Sequence, residues 1–227
     1  MAAMESNNYR LERWLAALLA LLFFLPFVAR ADDVAFANAS YHGNEMPFKT
    51  GDEFLAFNES GALAPVRIRV TREHDPIVDQ ERENTGKHVA LKGFDEYTLI
   101  LRGKALHPGK VAMATPDYLE PAMDKKLTIT LGGTKSHVFY RCTKTDCAFM
   151  LETDGVAQRL FSIEKDMLLE VNHIINFAGD LDHDGRLDLV MNASRHWNET
   201  RPTLFLSTSA KSGQLVGRAA EISMTGC

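Results

Sequence analysis

Apolar residues in this chain come in short runs bounded by Gly, Asp, Asn or Pro, and within several runs they alternate with polar ones. A period of two puts one set of side chains on each face of an extended strand, whereas an amphipathic helix repeats every three to four positions. The pattern predicts strands over residues 54–57, 66–71, 97–101, 127–131, 137–141, 148–152, 157–163, 168–175, 187–191 and 203–207. In VRIRV, Val66, Ile68 and Val70 are expected to face a core while Arg67 and Arg69 face water, as in an antiparallel sheet with one wet face. Asp154-Gly155, set between two such runs, is the signature of a two-residue hairpin turn. Residues 75–87 (DPIVDQERENTGK) read as an exposed loop or one short helix. The expected fold class is therefore mainly β, an antiparallel sandwich or barrel-like domain. No repeat of a 20 to 50 residue unit breaks it up.

The one long apolar run lies elsewhere. Residues 14–28 (WLAALLALLFFLPFV) are uncharged, follow Arg10 and Arg13, and precede Ala29-Arg30-Ala31. That is the layout of a secretory signal peptide, and the run falls short of the roughly 20 apolar residues a membrane-spanning helix needs. Residues 1–31 are accordingly expected to be removed, leaving a single β-rich domain over 32–227 with no stable membrane insertion. Two subdomains meeting near residues 105–125 are the alternative. The expected location is secreted or periplasmic.

Charge changes the picture in one respect. The chain carries 25 basic and 30 acidic residues, a net charge of -5. Setting aside Arg10, Arg13, Arg30, Glu5 and Glu12 leaves 22 basic and 28 acidic side chains, a net charge of -6 over 196 residues. A protein that neutralises phosphates carries the opposite excess, so nucleic acid is not an expected partner.

A location outside the cytoplasm permits disulfides. Of Cys142, Cys147 and Cys227, the first two flank the turn-like Lys144, Thr145 and Asp146 between two apolar runs. Their pairing is favoured over those using Cys227 or three free thiols, and closing so short a loop contributes roughly 2 kcal/mol in the chain-entropy model.

The chemistry that stands out is in residues 177–191, FAGDLDHDGRLDLVM. Asp180, Asp182, Asp184 and Asp188 alternate along one segment, with Gly185 directly after the third. Calcium is a hard ion that takes six to eight oxygen ligands, and a tight acidic turn can supply many of them from one short stretch. Like charges so close repel unless a cation joins them. Gly185 permits the bend, Arg186 is expected to offer its backbone carbonyl at the seventh position, and Asp188 closes the sphere at the ninth. The metal ligands read from sequence are thus Asp180, Asp182, Asp184, Arg186 and Asp188, with a structural Ca2+ as the cofactor. Leu187 and Leu189 should point into the core and His183 outward. Magnesium suits the site less well because its strict octahedral shell keeps several waters, and soft metals would prefer Cys or His.

Met191 stands at loop position 12, where an EF-hand carries a bidentate Glu, and both flanks look like strands rather than helices. The segment instead resembles the calcium-binding hairpins of FG-GAP and VCBS-type repeats, found in integrin-like propellers and many secreted bacterial proteins. Phe177, Gly179, Asp180, Asp182, Asp184, Gly185, Asp188, Leu189 and the later run Thr203-Leu204-Phe205-Leu206-Ser207 carry the resemblance. Those propellers repeat the unit several times and this chain holds one copy, so the resemblance implies a calcium-rigidified hairpin near the C-terminus and not a propeller.

Elsewhere the motifs are weaker. Asn38, Asn58, Asn192 and Asn198 begin Asn-x-Ser/Thr triplets where about one would arise by chance, and they are read as turn formers. No nucleophile elbow, phosphate-cradling loop or H-E-x-x-H pair is present. His74, Asp75, Asp79, Glu81 and Glu83 read as a solvated acidic loop. Tyr41, Phe48, Tyr118 and Trp197 are candidates for a glycan or peptide surface, or for the core. The functional expectation is a secreted calcium-binding module with an unknown protein or glycan ligand. The alternative is an extracellular hydrolase with a structural calcium.

Overall fold

Between Thr153 and Val156 the chain reverses in two residues, Asp154 and Gly155, both at positive φ (50° and 78°). Left-handed backbone at both turn positions matches the twist of the flanking strands, which is why Asp-Gly suits such turns. The hairpin belongs to a four-stranded meander of Leu127–Leu131, Thr134–Cys142, Asp146–Thr153 and Val156–Glu164, termed here the outer sheet. The opposite turn is closed by the disulfide Cys142–Cys147, between residues that face each other in the register.

A computed structural model describes residues 32–225 apart from 59, 117–120, 122 and 124. The chain divides into the units Met1–Arg30 and Ala31–Cys227, and all described residues belong to the second. The proposed signal segment, Tyr118 and Cys227 lie outside the described residues.

The described residues are mainly β, every strand pairing is antiparallel, and no sheet closes into a barrel. Besides the outer sheet there are two five-stranded ones. The N-terminal sheet runs Asp33–Ala37, Thr98–Arg102, Glu53–Phe57, Ala62–Arg67, Gly109–Lys110 in spatial order. The central sheet runs Gly217–Glu221, Pro202–Leu206, Asp188–Asn192, Ile175–Asp180, Ala112–Met113. The chain passes from the edge of one to the edge of the other within residues 109–113.

Layering follows from which side chains share a core. Leu189, Met191 and Phe205 cluster with Ile129, Val138, Phe149 and Leu151 of the outer sheet. Their alternates Val190, Leu204 and Leu206 cluster with Val34, Leu63 and Leu101 of the N-terminal sheet. The central sheet is therefore covered on both faces, which explains why its strands read as unbroken apolar runs (LVM, TLFL) instead of alternating. Each fully buried Leu, Val or Phe contributes about 1.5 to 3 kcal/mol relative to exposure. The far face of the N-terminal sheet, with Ala35, Phe54, Ala56 and Ile100, is covered in turn by a small sheet of Ala39–Tyr41, Gly86–Ala90 and Arg69–Glu73.

Three sequence expectations need correction. Residues 168–175 are not a strand: a 3-10 turn at Lys165–Met167 and irregular chain lead to a strand that starts only at Ile175. The segment has to carry the chain from the outer to the central sheet, and Leu169 is 79% exposed while Leu168 is buried. The 66–71 run is broken at Ile68, whose N–H and carbonyl pair with Asp52 and Gly51 outside any strand. Its alternation nonetheless holds, with Ile68 buried and Arg67 and Arg69 exposed. Residues 75–85 are a loop, with Gly86 and Lys87 already in the strand Gly86–Ala90, but the loop is not merely solvated. Asp75 is 2% exposed and accepts the Ile77 N–H and the His42 ring, while Asp79 binds Thr85 and the Asp75 N–H.

Candidate metal centre

The strand Ile175–Asp180 and the strand Asp188–Asn192 pair with Gly179 directly opposite Asp188, and the acidic loop is what joins them. Gly179 admits no larger residue. A Cβ there would lie 2.3 Å from the Ala112 carbonyl and 2.7 Å from the Phe177 ring. Gly185 (φ 80°) and His183 (φ 63°) turn the loop back on itself. Leu181 and Leu189 are fully buried and Leu187 packs against the same core as Leu189, which fastens the loop at both ends. His183 is exposed, its Nε2 on the Lys110 carbonyl at 3.1 Å.

Of the five residues expected to ligate an ion, the fold brings three acids together. Asp180, Asp182 and Asp188 each present a carboxylate oxygen within 4.8 Å of the others. Asp180 Oδ1 and Oδ2 accept the N–H groups of Asp184 and Gly185, each at 3.0 Å. Asp188 is completely buried: its Oδ2 accepts the Leu181 N–H (2.7 Å) and the Asp182 N–H (3.3 Å), and its Oδ1 the Ser207 N–H (2.7 Å). Burial, reinforced by the Asp182 charge, pushes the Asp188 carboxyl up to about 7 against the pull of the Ser207 and Leu181 donors. Asp182 Oδ2 accepts the Thr208 hydroxyl, while its Oδ1 is buried with no hydrogen-bond partner.

Asp184 is engaged differently. Its Oδ1 accepts the Arg186 N–H at 2.9 Å, and its Oδ2 takes Arg186 Nε (2.8 Å), the Arg186 guanidinium end (2.7 Å) and the Ser207 hydroxyl (2.7 Å). Burial would raise the Asp184 carboxyl, but the Ser207 hydroxyl and Arg186 outweigh it and hold it below the usual carboxylate range. The exposed Arg186 side chain thus neutralises Asp184, and the pair braces the turn at the side of the triad.

Each carboxylate oxygen has about two lone-pair directions. The donors just described leave directions open on Asp180, on Asp188 Oδ1 and on both oxygens of Asp182, with Asp182 Oδ1 wholly unsatisfied. A buried acceptor without a donor is costly, and a cation answers it. The donor set, oxygen only, fits a hard divalent ion and not a thiophilic one. The described residues therefore include one acidic group that could hold a metal ion.

Neither Ser207, the last residue of the run that carries the resemblance, nor Thr208 was expected at the site. They begin the 3-10 turn Ser207–Ser209, directly after the buried strand Pro202–Leu206, which pairs with Asp188–Asn192. Two hydroxyls at the end of an apolar strand that neighbours the loop were the available signal.

The Asn-x-Ser/Thr triplets build turns. Asn58 Oδ1 accepts the Ser60 N–H at 3.0 Å and Asn192 Oδ1 the Arg201 N–H at 2.8 Å. Asn38 (φ 53°) ties a chain corner through its amide to the carbonyls of Leu91, Phe94 and Asp95. Tyr41 and Phe48 are core residues, whereas Trp197 is 60% exposed. A surface groove lies between Phe57, Asn58, Ser60 and Gly93, Phe94, Asp95, Thr98, with Asp95 the one ionisable group among its described lining residues. Comparison with family models, with curated proteins and with solved structures finds no match for the chain. No helix among the described residues is long and apolar enough to cross a membrane.

Proposed function

We propose that this is a secreted or periplasmic calcium-binding β module, in which the ion fastens the loop of residues 180–188 and thereby the C-terminal strands of the central sheet. The observation that carries the reading is the buried, unpartnered Asp182 Oδ1 within a triad of convergent carboxylates. The likeness of the loop to FG-GAP and VCBS-type hairpins, the disulfide and the apolar segment ahead of residue 32 support it. Calcium, held by Asp180, Asp182 and Asp188, supplies charge neutralisation and oxygen coordination where three acids meet. Millimolar exterior calcium matches the affinity of extracellular modules, with Kd of about 0.1 to 1 mM.

The test is the melting temperature with 10 mM calcium against chelator. At that concentration, mass action at such a Kd stabilises by about 1.4 to 2.7 kcal/mol, or roughly 3 to 10 °C for a chain of this length. Asp182→Ala should abolish the difference. Equal melting of the unmutated protein in both conditions rules the proposal out.

A further inference from the structure

Resting on that reading of the site, we infer that Ser207 and Thr208 are positioning residues for the cation, supplied from outside the acidic loop by the turn that follows the strand Pro202–Leu206. Three groups of this dipeptide reach three different carboxylates. The Ser207 N–H is on Asp188 Oδ1 at 2.7 Å, the Ser207 hydroxyl on Asp184 Oδ2 at 2.7 Å, and the Thr208 hydroxyl on Asp182 Oδ2. None of these donors belongs to the D-x-D-x-D-G-x-x-D pattern, and the loop alone satisfies neither Asp182 Oδ2 nor Asp188 Oδ1.

The consequence for coordination is geometric. With Thr208 on Oδ2, rotation of the Asp182 carboxylate is restrained and its Oδ1 is left bare and buried, in a side chain that offers one oxygen to the group with Asp180 and Asp188. It binds as a one-oxygen ligand. Ser207 does the same for Asp188 through Oδ1, and its hydroxyl holds Asp184 Oδ2, the oxygen that also takes the Arg186 guanidinium. Groups that orient ligands from behind set affinity as strongly as many ligands do, typically by 10- to 100-fold. The strand Pro202–Leu206 is thereby coupled to the ion without contributing a charge.

Isothermal calorimetry of the full chain with calcium and with magnesium tests this on Thr208→Val, Thr208→Ser and Ser207→Ala, with melting in chelator measured beside it. Thr208→Val should weaken calcium about 10-fold or more, and Thr208→Ser, which restores the hydroxyl, should recover most of the loss. Melting in chelator should barely move for Thr208→Val, since that residue is exposed. Calcium binding by Thr208→Val equal to that of the unmutated protein, or a Thr208→Ser that fails to recover, overturns the inference and leaves the proposed function standing. An unmutated protein that binds no calcium overturns both.

Discussion

Asp188 Oδ1 accepts the backbone N–H of Ser207 at 2.7 Å, joining the first residue of one central-sheet strand to the turn that directly follows its neighbour, 19 positions on. The bond is buried, and Asp188 also satisfies the N–H groups of Leu181 and Asp182. Asp188→Ala strands all three donors at once. Unsatisfied buried donors are destabilising by about 1 to 3 kcal/mol each before relaxation, so a net loss of about 2 to 4 kcal/mol is expected in urea unfolding carried out in chelator. Asp188→Asn, which keeps one carbonyl acceptor, should lose less. A loss below about 1 kcal/mol for the alanine variant would contradict this account of the carboxylate.

Gly179 has no room for a methyl group. The 2.3 Å approach of the Ala112 carbonyl to its would-be Cβ involves backbone on the edge strand Ala112–Met113, which must move for Ala to fit. Gly179→Ala should destabilise by about 1 to 3 kcal/mol, the usual range for overpacking. Protection of the Ala114 amide, bonded to Ala178 at 2.9 Å, should fall with it in hydrogen exchange. Unchanged exchange at Ala114 together with unchanged stability would refute the close approach.

His173 is buried and its tautomer is dictated by its partners. The Ser194 carbonyl can only accept, so Nε2 carries the proton (2.8 Å), and Nδ1 accepts the Tyr140 hydroxyl (2.8 Å). Burial lowers the His173 pKa, against the opposing pull of the Ser194 carbonyl. Folding then favours the neutral ring: its contribution is fully present above the unfolded value of about 6.5 and is lost as pH falls through the lower folded value. The stability difference between the unmutated protein and His173→Gln should therefore shrink from roughly pH 8 to 5. A difference that stays constant over that range would show that the ring does not titrate with folding.

His42 runs the other way. Burial acts to lower its pKa, but the hydrogen bond to buried Asp75 at 2.7 Å and the charges of Asp75 and Glu45 outweigh it, and the net shift is upward. Its contribution is present below about pH 6.5 and is lost as pH rises through the higher folded value. Asp75→Asn should bring the His42 pKa, followed by ring-proton NMR, down toward or below its ordinary value. An unmoved His42 titration would mean that Asp75 is not the group that raises it.

Asn38 holds the corner between Asp33–Ala37 and Ala39–Tyr41 at φ 53°, with its amide on three carbonyls and its Oδ1 on the Leu91 N–H. Asn38→Ala loses those bonds and places a less tolerant residue in left-handed backbone. About 2 kcal/mol or more of destabilisation is expected in thermal or urea unfolding.

Much of this architecture is written in local pattern. The Asp154-Gly155 turn, the outer-sheet strands around it and the Cys142–Cys147 pairing follow from period-two alternation and turn chemistry, and residues 127–131 match their strand residue for residue. What escaped is where distant partners decide. Asp33–Ala37 (DVAFA) is too rich in alanine to look like a strand, yet Ala35 and Ala37 are fully buried because the covering sheet sits close above them. Leu168 to Ile175 has strand-like composition but must cross between sheets. At the site, the spacing of the acids marked the loop, and three of its four carboxylates converge. The diversion of Asp184 to Arg186, and the hydroxyls of Ser207 and Thr208, depend on a strand pairing that no local pattern reports.

The sheet order also has a kinetic side. Val34 shares a core with Ala220, and the Thr225 N–H bonds Glu45 Oε1 at 2.7 Å across 180 positions of sequence. Contacts of such separation close slowly, because the intervening chain loses its freedom before they form. The strand Asp33–Ala37 thus waits for the strand Gly217–Glu221, and until that strand docks Val34 lacks part of its cover.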